Sequence, residues 1–397
     1  MTAQAQRLGD VCEINPRLPR DHHLQDDGEV SFVPMAAVSE ISGTIESAAT
    51  RRYAAVKKGY TAFCDGDVLF AKITPCMENG KAALASGLVG GRGFGSTEFH
   101  VLRAREAVLP EWLYYFVRRE SFRQDAKRNF TGTAGQQRVP TSFLQNALIP
   151  VPPIDEQRRI VDLLSRAEGI VRLRREAQQK AAELIPAIFI DMFGDPATNP
   201  DAWPRHPLSA LAEVISGVAK GRKLEPAEAV ELPYMRVANV KDGYLDLTEV
   251  KTIEIKRSEV EKLLIRPGDL LMTEGGDPDK LGRAALWNGE LEACVHQNHV
   301  FKVRSDDARL SPAYLRALAG SPYGKAYFLS VAKKTTGIAS INKTQLSAFP
   351  VPLPPLPLQR TFERRVMAVE SILSQQVDAA EKAKASFQSL LSRAFGA

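Results

Sequence analysis

The sequence has few cysteines, no long apolar run and no signature of an oxidising compartment. Its four cysteines in 397 residues form no Cys-x-x-Cys pair and no spacing typical of a metal site. We interpret them as reduced thiols of a cytosolic protein. The first ten residues (MTAQAQRLGD) lack the apolar core of a signal peptide, and no apolar stretch is long enough to span a bilayer. The net charge of +5 permits a nucleic-acid partner without requiring one.

Catalytic and cofactor motifs are also missing. No Gly-x-Gly-x-x-Gly motif follows a predicted strand, and residues 320–325 (GSPYGK) have the wrong spacing for a phosphate-binding loop. Glu254 and Lys256 form an acid-x-lysine pair found in some nucleases, but no partner carboxylate stands at a suitable spacing. His296 and His299 lack a third ligand, so we predict a hydrogen-bonding role for them. We therefore predict no catalytic residue, no metal site and no cofactor.

The chain is an internal duplication. Residues 66–69 (GDVL) match 268–271 (GDLL), and residues 80–84 (GKAAL) match 282–286 (GRAAL), each 202 positions later. Each copy is a globular unit followed by a long helix. The predicted segments are a first globular domain at 1–152, a first long helix at 153–194, a second globular domain at 195–353 and a second long helix at 354–397.

Each globular unit is predicted to be a mixed α+β fold with mostly antiparallel strands. The predicted strands are 30–38, 67–73 and 98–103 in the first copy and 233–240, 269–273 and 299–304 in the second. One amphipathic helix is predicted in each copy, at 110–129 and 312–330, and each begins near a proline.

Both long helices carry an apolar stripe that repeats every seven residues, with one polar interruption. Such a narrow stripe is typical of a helix–helix seam, so we predict that the two helices pair as a coiled coil. Asp155 is the predicted N-cap of the first helix, Pro186 is predicted to kink or end it, and Gly194 to stop it. The first seam comprises Ile160, Leu163, Ala167, Ile170, Arg174, Ala177, Ala181, Leu184 and Ile188, and the second Phe362, Val366, Val369, Leu373, Gln376, Ala380, Ala383, Phe387 and Leu390.

Two polar loops in each copy have the chemistry of nucleic-acid recognition. We call them the strand-end loop (71–81 and its copy 273–283) and the glycine loop (128–139 and its copy 333–343). Their cations suit phosphate or guanine, and their amides suit base edges. The two copies differ in these loops, as two specificities would require. The candidate DNA-binding residues are Lys72, Thr74, Asn79, Lys81, Thr131, Thr133, Gln136, Gln137 and Arg138 in the first copy, and Thr273, Lys280, Arg283, Lys333, Lys334, Thr335, Thr336, Ser340 and Asn342 in the second.

With these features together, the sequence resembles the specificity subunits of type I restriction–modification systems. The resemblance covers nearly the whole chain. It depends on the duplication, on the segment 151–160 (VPPIDEQRRI) that begins the first helix, and on the loops 67–81 and 132–140. The copy at 353–362 departs from the pattern, because Pro357 and Leu358 replace Asp155 and Glu156.

The resemblance implies a non-catalytic subunit with two target-recognition domains, each reading one half of a bipartite, asymmetric site in double-stranded DNA. It implies an antiparallel coiled-coil spacer, two methyltransferase subunits and restriction subunits as partners, and no membrane. Leu164, Val171 and Ile372 are apolar residues outside the seams and are candidates for the methyltransferase contact. About 45 Å of helix between Glu156 and Ile185 exceeds one duplex turn of about 34–36 Å. Two alternatives stay open: a coiled-coil scaffold with two protein-binding modules, and the DNA-targeting subunit of a methylation-only defence system.

Overall fold

The chain folds as two compact units. In the computed structural model, residues 4–18, 24–133, 136–277, 280–335 and 337–396 are described, without the side chain of residue 335. Unit 1 is Met1–Glu176 with Val377–Ala397, and unit 2 is Ala177–Gln376. Each unit therefore contains one globular region and parts of both long helices.

Unit 1 is built on two four-stranded sheets. One has the order β2-β9-β6-β7 and the other β4-β3-β8-β5, while β1 pairs with β10. Among the described strand pairs of this unit, β3–β8 is parallel and the others are antiparallel, as predicted. The strands are β1 Gln4–Arg7, β2 Cys12–Ile14, β3 Glu29–Val33, β4 Ala49–Arg52, β5 Thr61–Cys64, β6 Val68–Ala71, β7 Ala82–Leu84, β8 Arg92–Gly95, β9 Phe99–Ala104 and β10 Leu148–Val151.

In unit 1 one helix and one strand have boundaries that differ from the predicted ones. The single helix predicted at 110–129 is two helices, because Arg119 is extended (ψ 138°) and its guanidinium lies 4.4 Å from the Phe116 ring centroid. The strand predicted at 30–38 ends at Val33, since Pro34 has no N–H for the ladder. The helices are α1 Leu8–Val11, α2 Tyr53–Val56, α3 Pro110–Arg118, α4 Glu120–Arg128, α5 Thr141–Asn146 and α6 Ile154–Phe193, with 3-10 turns at Met35–Ala37 and Val89–Gly91.

Unit 2 repeats this plan. Its sheets have the orders β12-β19-β15-β17, β14-β13-β18 and β16-β21-β20, with β11 paired to β22. The strands are β11 Arg205–Pro207, β12 Ala212–Ser216, β13 Ala229–Met235, β14 Lys251–Lys256, β15 Leu270–Thr273, β16 Gly275–Gly276, β17 Ala284–Leu286, β18 Val295–His296, β19 Val300–Ser305, β20 Lys333–Thr335, β21 Ile338–Ser340 and β22 Pro350–Pro352. The helices are α7 Val260–Leu263, α8 Pro312–Gly320, α9 Pro322–Val331, α10 Lys343–Ser347 and α11 Leu356–Ala394, with 3-10 turns at Leu208–Ala210, Val237–Asn239 and Arg257–Glu259. The helix predicted at 312–330 is again two helices, and they meet at Ser321.

The central sheet of each unit is covered on both faces, which explains why its strands are apolar throughout. In unit 1, Phe70 packs in one cluster with Trp112 of α3, whereas its neighbour Leu69 packs in another with Phe63. In unit 2, Met272 packs with Tyr314 of α8, and Leu271 packs on the opposite face. The alternation of side chains along a strand thus places residues of the central sheet in two separate clusters, one on each face.

The two long helices are antiparallel, as predicted. Unit 1 contains the start of α6 and the end of α11, and there Leu164 belongs to the same buried cluster as Phe387 and Leu391. Unit 2 contains the end of α6 and the start of α11, and there the Phe189 and Phe362 rings lie 5.6 Å apart. None of the helices formed by the described residues combines the length and hydropathy of a bilayer-spanning segment.

The structure contradicts one expectation about α6 and excludes one of the two alternatives given for Pro186, a kink or an end. Asp155 is not the N-cap, because the helix already begins at Ile154 and the Pro153 carbonyl accepts the first helical hydrogen bond, from Gln157 N at 3.0 Å. Pro186 does not end the helix, which continues to Phe193. Pro186 and Ala182 are both exposed, so water can reach the Ala182 carbonyl that the proline leaves without its amide partner. Gly194 ends the helix as expected, with φ +69°.

The residues buried along α11 agree with the predicted stripe, whereas those buried along α6 do not. All nine stripe positions of α11 are buried or half-buried. In α6, by contrast, Leu163, Ile170 and Leu184 are about half exposed (48%, 52% and 46%), and Arg174 is exposed. The packed face of α6 instead includes Leu164 (1% exposed), Val171 and Ile185, one position further along the chain.

Candidate nucleic-acid interface

In unit 1 the strand-end loop and the glycine loop lie side by side. Val139 N donates to the Lys72 carbonyl at 2.9 Å, and Thr74 N donates to the Gln137 carbonyl at 3.1 Å. The glycine loop also closes on itself, because Thr131 and Arg138 exchange both backbone hydrogen bonds. Two segments about sixty residues apart in sequence thus form one polar surface, which we call patch 1 (residues 72–81 with 131–139).

A buried histidine fixes patch 1 to the central sheet. His100 of β9 is 3% exposed, and its Nε2 donates to the Val139 carbonyl at 2.8 Å. Its Nδ1 then accepts from the Asn15 side-chain amide at 3.2 Å. Burial lowers the pKa of His100, so the ring is neutral at pH 7 and can form this donor–acceptor pair.

The same two loops are joined in unit 2, here as a small sheet. Gly275–Gly276 of the strand-end loop pairs with Ile338–Ser340 of the glycine loop, and β20 lies on the outer side. Ile341 N also donates to the Glu274 carbonyl at 2.8 Å. A Cβ at Gly275 would lie 2.7 Å from the Ala339 carbonyl oxygen, so this close pairing requires glycine. We call this surface patch 2 (residues 273–283 with 333–343).

The cations of patch 1 are largely engaged. Arg138 donates to both carboxylate oxygens of Glu98 at 2.9 Å and to the Gln136 carbonyl at 2.8 Å. These hydrogen bonds lower the pKa of Glu98, so the carboxylate is ionised and neutralises Arg138. Lys81 is half-buried and donates to the Met35 carbonyl at 3.3 Å. Lys72 is half-buried, and within the described residues its side chain makes no hydrogen bond.

Patch 2 presents more available charge. Lys333 and Lys334 are exposed on the outer strand β20, and in the described part of the chain neither side chain has a hydrogen bond or ion pair. Arg283 is half-buried and likewise finds no hydrogen-bond acceptor among the residues described. Lys280 pairs with Asp277 and, through that contact, lowers the pKa of the carboxyl group.

Several candidate residues have structural partners that limit contact with DNA. Thr273 is 1% exposed and donates to the Lys280 carbonyl at 3.2 Å, so the expectation that it contacts DNA is wrong. Asn342 accepts from Gln345 N at 2.9 Å as the N-cap of α10. In unit 1, Thr74 donates to Glu78, and Asn79 donates to Glu40 at 3.2 Å.

The remaining candidates divide by exposure. Thr131, Thr133 and Gln136 are exposed, whereas Gln137 and Ser340 are half-exposed. Thr335 ends β20, and Thr336 lies outside the described residues. The exposed polar surface of patch 1 is therefore mainly hydroxyl and amide, and that of patch 2 is mainly ammonium.

A further basic segment follows Val218, which is linked to patch 2 through a neighbouring strand pairing. Val218 pairs with Gln297, and His299, two residues after Gln297, contacts patch 2, because Glu274 N donates to the His299 carbonyl at 3.0 Å. Lys220, Arg222 and Lys223 follow Val218 directly. The run Lys220–Lys223 (KGRK) is visible in the sequence as a charge cluster; in the structure Lys220 lies over the Tyr234 ring and Arg222 pairs with Glu259 at 2.8 Å.

The two histidines considered as metal ligands form hydrogen bonds instead. His296 is fully buried, and its Nδ1 donates to the Val300 carbonyl at 2.7 Å. Burial lowers its pKa to about 4. His299 Nδ1 lies 2.5 Å from a Glu274 carboxylate oxygen.

Comparisons with known proteins agree with this arrangement. Residues 2–183 match the family model of the type I restriction modification DNA specificity domain. The chain is 41% identical over 160 residues to the EcoEI type I restriction enzyme specificity subunit of Escherichia coli, which covers 40% of this chain and 26% of that protein. It is 24% identical over 315 residues to the EcoKI specificity subunit of Escherichia coli K12, which covers 74% of this chain and 67% of that protein. The match to the first relative thus spans about a quarter of that relative's length.

Solved structures show the same fold. One similar chain, from a study of complex assembly and conformational transition of a type I restriction–modification system, has a TM-score of 0.60 at 24% identity, with 99% of this chain and 97% of that chain covered. The S subunit of the M. genitalium type I system has a TM-score of 0.56 at 14% identity, with 100% and 99% covered. The duplicated units and the paired loops agree with the matched specificity domain, and the chain is similar in sequence and in fold to type I restriction–modification specificity subunits.

Proposed function

We propose that this chain is the non-catalytic subunit that recognises DNA for a type I restriction–modification complex, and that each unit reads one half of a bipartite, asymmetric site. The observation that carries this proposal is the joining of the same two loops in both units. The hydrogen bonds that join them are between backbone atoms, whereas their exposed side chains differ. A common framework with divergent polar surfaces suits two half-sites of different sequence.

In this proposal the long helices set the distance between the half-sites. The 40 residues of α6 extend about 60 Å at 1.5 Å per residue. A duplex turn is about 34–36 Å, so the helix is long enough to relate two successive major-groove positions. Each half-site would be contacted through the major groove by one patch, and the bases between them would be left unread.

The proposal also includes recruitment of two methyltransferase subunits and of restriction subunits in the cytoplasm. Large apolar side chains on an exposed helical face indicate a protein partner. Leu164 is buried, so it cannot serve as the contact predicted from the sequence, and Val171 is half-buried. Ile372 is 48% exposed and stays a candidate, together with Leu163, Ile170 and Leu173 on α6.

The test is methylome sequencing of a host that carries this gene with its neighbouring methyltransferase gene, compared with a host that lacks this gene. We expect a new split motif: two short specific blocks around a fixed number of unspecified bases. No new motif, with the methyltransferase expressed, would favour a scaffold that binds proteins. The same motif in a system without a restriction subunit would favour a methylation-only complex.

A paired deletion tests the spacing. Removal of residues 174–180 from α6 and 374–380 from α11 shortens each helix by one heptad, about 10 Å, and turns its face by only about 20°. We expect the spacer to shorten by about three base pairs while both half-sites keep their sequence. An unchanged spacer would contradict the role of the helices.

A further inference from the structure

A buried glutamine connects the start of α6 to the globular part of unit 1. Gln157 is fully buried, although glutamine is usually exposed. Its Oε1 accepts from Leu109 N at 2.9 Å, and its Nε2 donates to the Ala107 carbonyl at 2.9 Å and to the Pro152 carbonyl at 2.8 Å. One side chain therefore joins the helix to the segment before α3 and to the chain that leads into the helix.

Unit 2 repeats this connection. Gln359, 202 residues later, is also fully buried. Its Oε1 accepts from Ser311 N at 2.8 Å, and its Nε2 donates to the Arg309 carbonyl at 3.1 Å and to the Pro354 carbonyl at 2.8 Å. The glutamine is retained although the residues two and one positions before it differ, Asp155 and Glu156 in one copy and Pro357 and Leu358 in the other.

A second contact lies eleven residues further along each helix. In unit 1, Glu168 pairs with Arg118 of α3 and accepts from the Tyr115 hydroxyl at 3.1 Å. In unit 2, Glu370, again 202 residues later, pairs with Arg316 of α8 at 2.6 Å. Both arginines are nearly buried, with side chains 12% and 10% exposed.

The partner of the glutamate differs between the copies while the contact persists. Arg316 stands at the position of Tyr114, and Arg118 lies one helical turn beyond it. A contact kept by a cation at a different position is more than a remnant of the duplication. It indicates that the attachment of the long helix to α3 or α8 has itself been maintained.

We propose that the glutamine and the glutamate form a two-point clamp that fixes the angle between each recognition patch and its long helix, and so defines the spacer of the DNA site. The clamp residues are Gln157 and Glu168 in unit 1 and Gln359 and Glu370 in unit 2. This inference rests on the proposed function. The clamp residues touch no DNA; they are positioning residues.

The length of α6 amplifies a small displacement at either clamp contact. Eleven residues separate the two contacts by about 16 Å, and about 54 Å of helix lies between Gln157 and Phe193. A slip of about 1 Å at one contact therefore displaces the far end of the helix by about 3 Å. That is close to the rise of one base pair, about 3.4 Å. A loosened clamp should therefore admit sites whose spacer is one base pair too long or too short.

The experiment measures methylation by the complete complex on DNA with the cognate spacer and on DNA with one base pair added or removed. In unit 1, Gln157→Met removes three hydrogen bonds at nearly constant volume. In unit 2, Arg316→Glu and Glu370→Arg each replace the ion pair with two like charges, and the double variant restores an opposite pair. Glu370→Gln is a mild variant, since Glu370 is 41% exposed and an amide still accepts from Arg316. The matched controls are Gln179→Met and Glu381→Arg, at exposed positions of the same two helices.

We expect the base preferences of both half-sites to be unchanged in every variant. The preference for the cognate spacer over its neighbours should fall at least fivefold in Gln157→Met and in each single reversal, and about twofold in Glu370→Gln. The double reversal should recover it to within twofold of the unaltered complex, and the controls should not change it.

Different experimental results would overturn the proposed clamp and the proposed function. An unaltered complex without any split site would overturn the proposed function. A split site whose spacer preference stays the same in Glu370→Gln and in the reversals would overturn the clamp alone. Equal loss of methylation at all spacer lengths, without recovery in the double variant, would assign these residues to folding only and would also overturn it.

Discussion

The two units share a framework and differ at the surfaces that we assign to DNA. In both, an aspartate at the start of the central sheet holds an arginine through two hydrogen bonds: Asp67 with Arg103, and Asp269 with Arg304. An aromatic donor of α3 or α8 bonds a proline carbonyl just before the long helix, Trp112 Nε1 to Pro150 at 2.9 Å and the Tyr314 hydroxyl to Pro352 at 2.7 Å.

The patches have diverged in charge as well as in sequence. In patch 1, Glu98 neutralises Arg138, and hydroxyl and amide groups are left exposed. In patch 2, Lys333 and Lys334 are exposed without a partner among the described residues. The framework keeps its buried polar contacts in both units, in part with different residues, while the loops that it supports differ in their chemistry. We expect patch 2 to supply more of the electrostatic affinity and patch 1 more of the base discrimination.

Removal of the buried aspartate should destabilise the two units equally, and this loss of stability is the largest effect that we expect. Asp67→Ala and Asp269→Ala each remove a 1% exposed carboxylate that also accepts a backbone amide, from Cys64 N and Arg266 N at 2.7 Å. Each should cost about 3–4 kcal/mol of unfolding free energy in its own unit. Hydrogen exchange resolved by unit is the measurement. Strongly unequal losses would show that the two frameworks are not equivalent.

A fall in pH should lower the stability of unit 2 because of His296. The pKa of this fully buried ring is lowered to about 4, from about 6.5 in the unfolded chain, because burial disfavours its charge. The stability that the neutral His296 ring contributes is fully present above pH 6.5. It is lost as the pH falls toward 4, because the unfolded state then binds a proton at His296 that the folded state does not bind. The loss is at most about 3 kcal/mol. Denaturant unfolding at several pH values, with His296→Gln as the comparison, tests this; identical pH profiles would contradict it.

The lysines of patch 2 should govern salt dependence. Lys333→Ala with Lys334→Ala should weaken DNA binding by the methyltransferase-bound subunit about thirtyfold, about 2 kcal/mol, at cognate and non-cognate sites alike. The slope of log affinity against log salt should decrease by about two. Lys382→Ala with Lys384→Ala removes the same charge from exposed positions of α11 and is the matched control. If both pairs had the same effect, net charge rather than patch 2 would explain it.

The ion pair of patch 1 should restrain affinity. Glu98→Gln removes the charge that neutralises Arg138, so binding to all sequences should strengthen severalfold, about 1 kcal/mol. Arg138→Ala should weaken it by no more than a similar factor. Affinity measured at two salt concentrations separates the variants. A large loss on Arg138→Ala, with relaxed choice at one base, would show that Arg138 leaves Glu98 to contact a base in the complex.

The sequence anticipated the stripe of α11 better than that of α6, and the reason lies in adjacent apolar residues. In α6 they occur in pairs such as Leu163–Leu164 and Ile170–Val171, so two faces compete for burial. The heptad pattern favoured the first member of each pair, but the packing chose the second. In α11 such pairs also occur, as in Val366–Met367 and Ile372–Leu373, but there the packing buried the member that the heptad pattern favoured.

For the loops, too, the sequence alone predicted only part of what the structure shows. Their approximate positions followed from the duplication. Thr273 was counted with the loop as well as with the predicted strand 269–273, and its side chain is buried at the end of β15. The neutralisation of Arg138 depends on Glu98, forty residues earlier, and on the pairing of two loops. Spacing alone cannot show which cations are already paired. It also cannot show that a glutamine in the first turn of each long helix is buried and hydrogen-bonded to three backbone groups.

The most direct test of two independent recognition units is a pair of methylomes. One host carries Gln136→Ala with Gln137→Ala in patch 1, and the other carries Lys333→Ala with Lys334→Ala in patch 2. We predict altered base preference in one half of the split motif for the first variant. For the second we predict weaker methylation of an unaltered motif, because these lysines act at all sequences alike, and the spacer is the same in both. Alteration of both halves by either variant, or of neither by both, would contradict the assignment of one half-site to each unit.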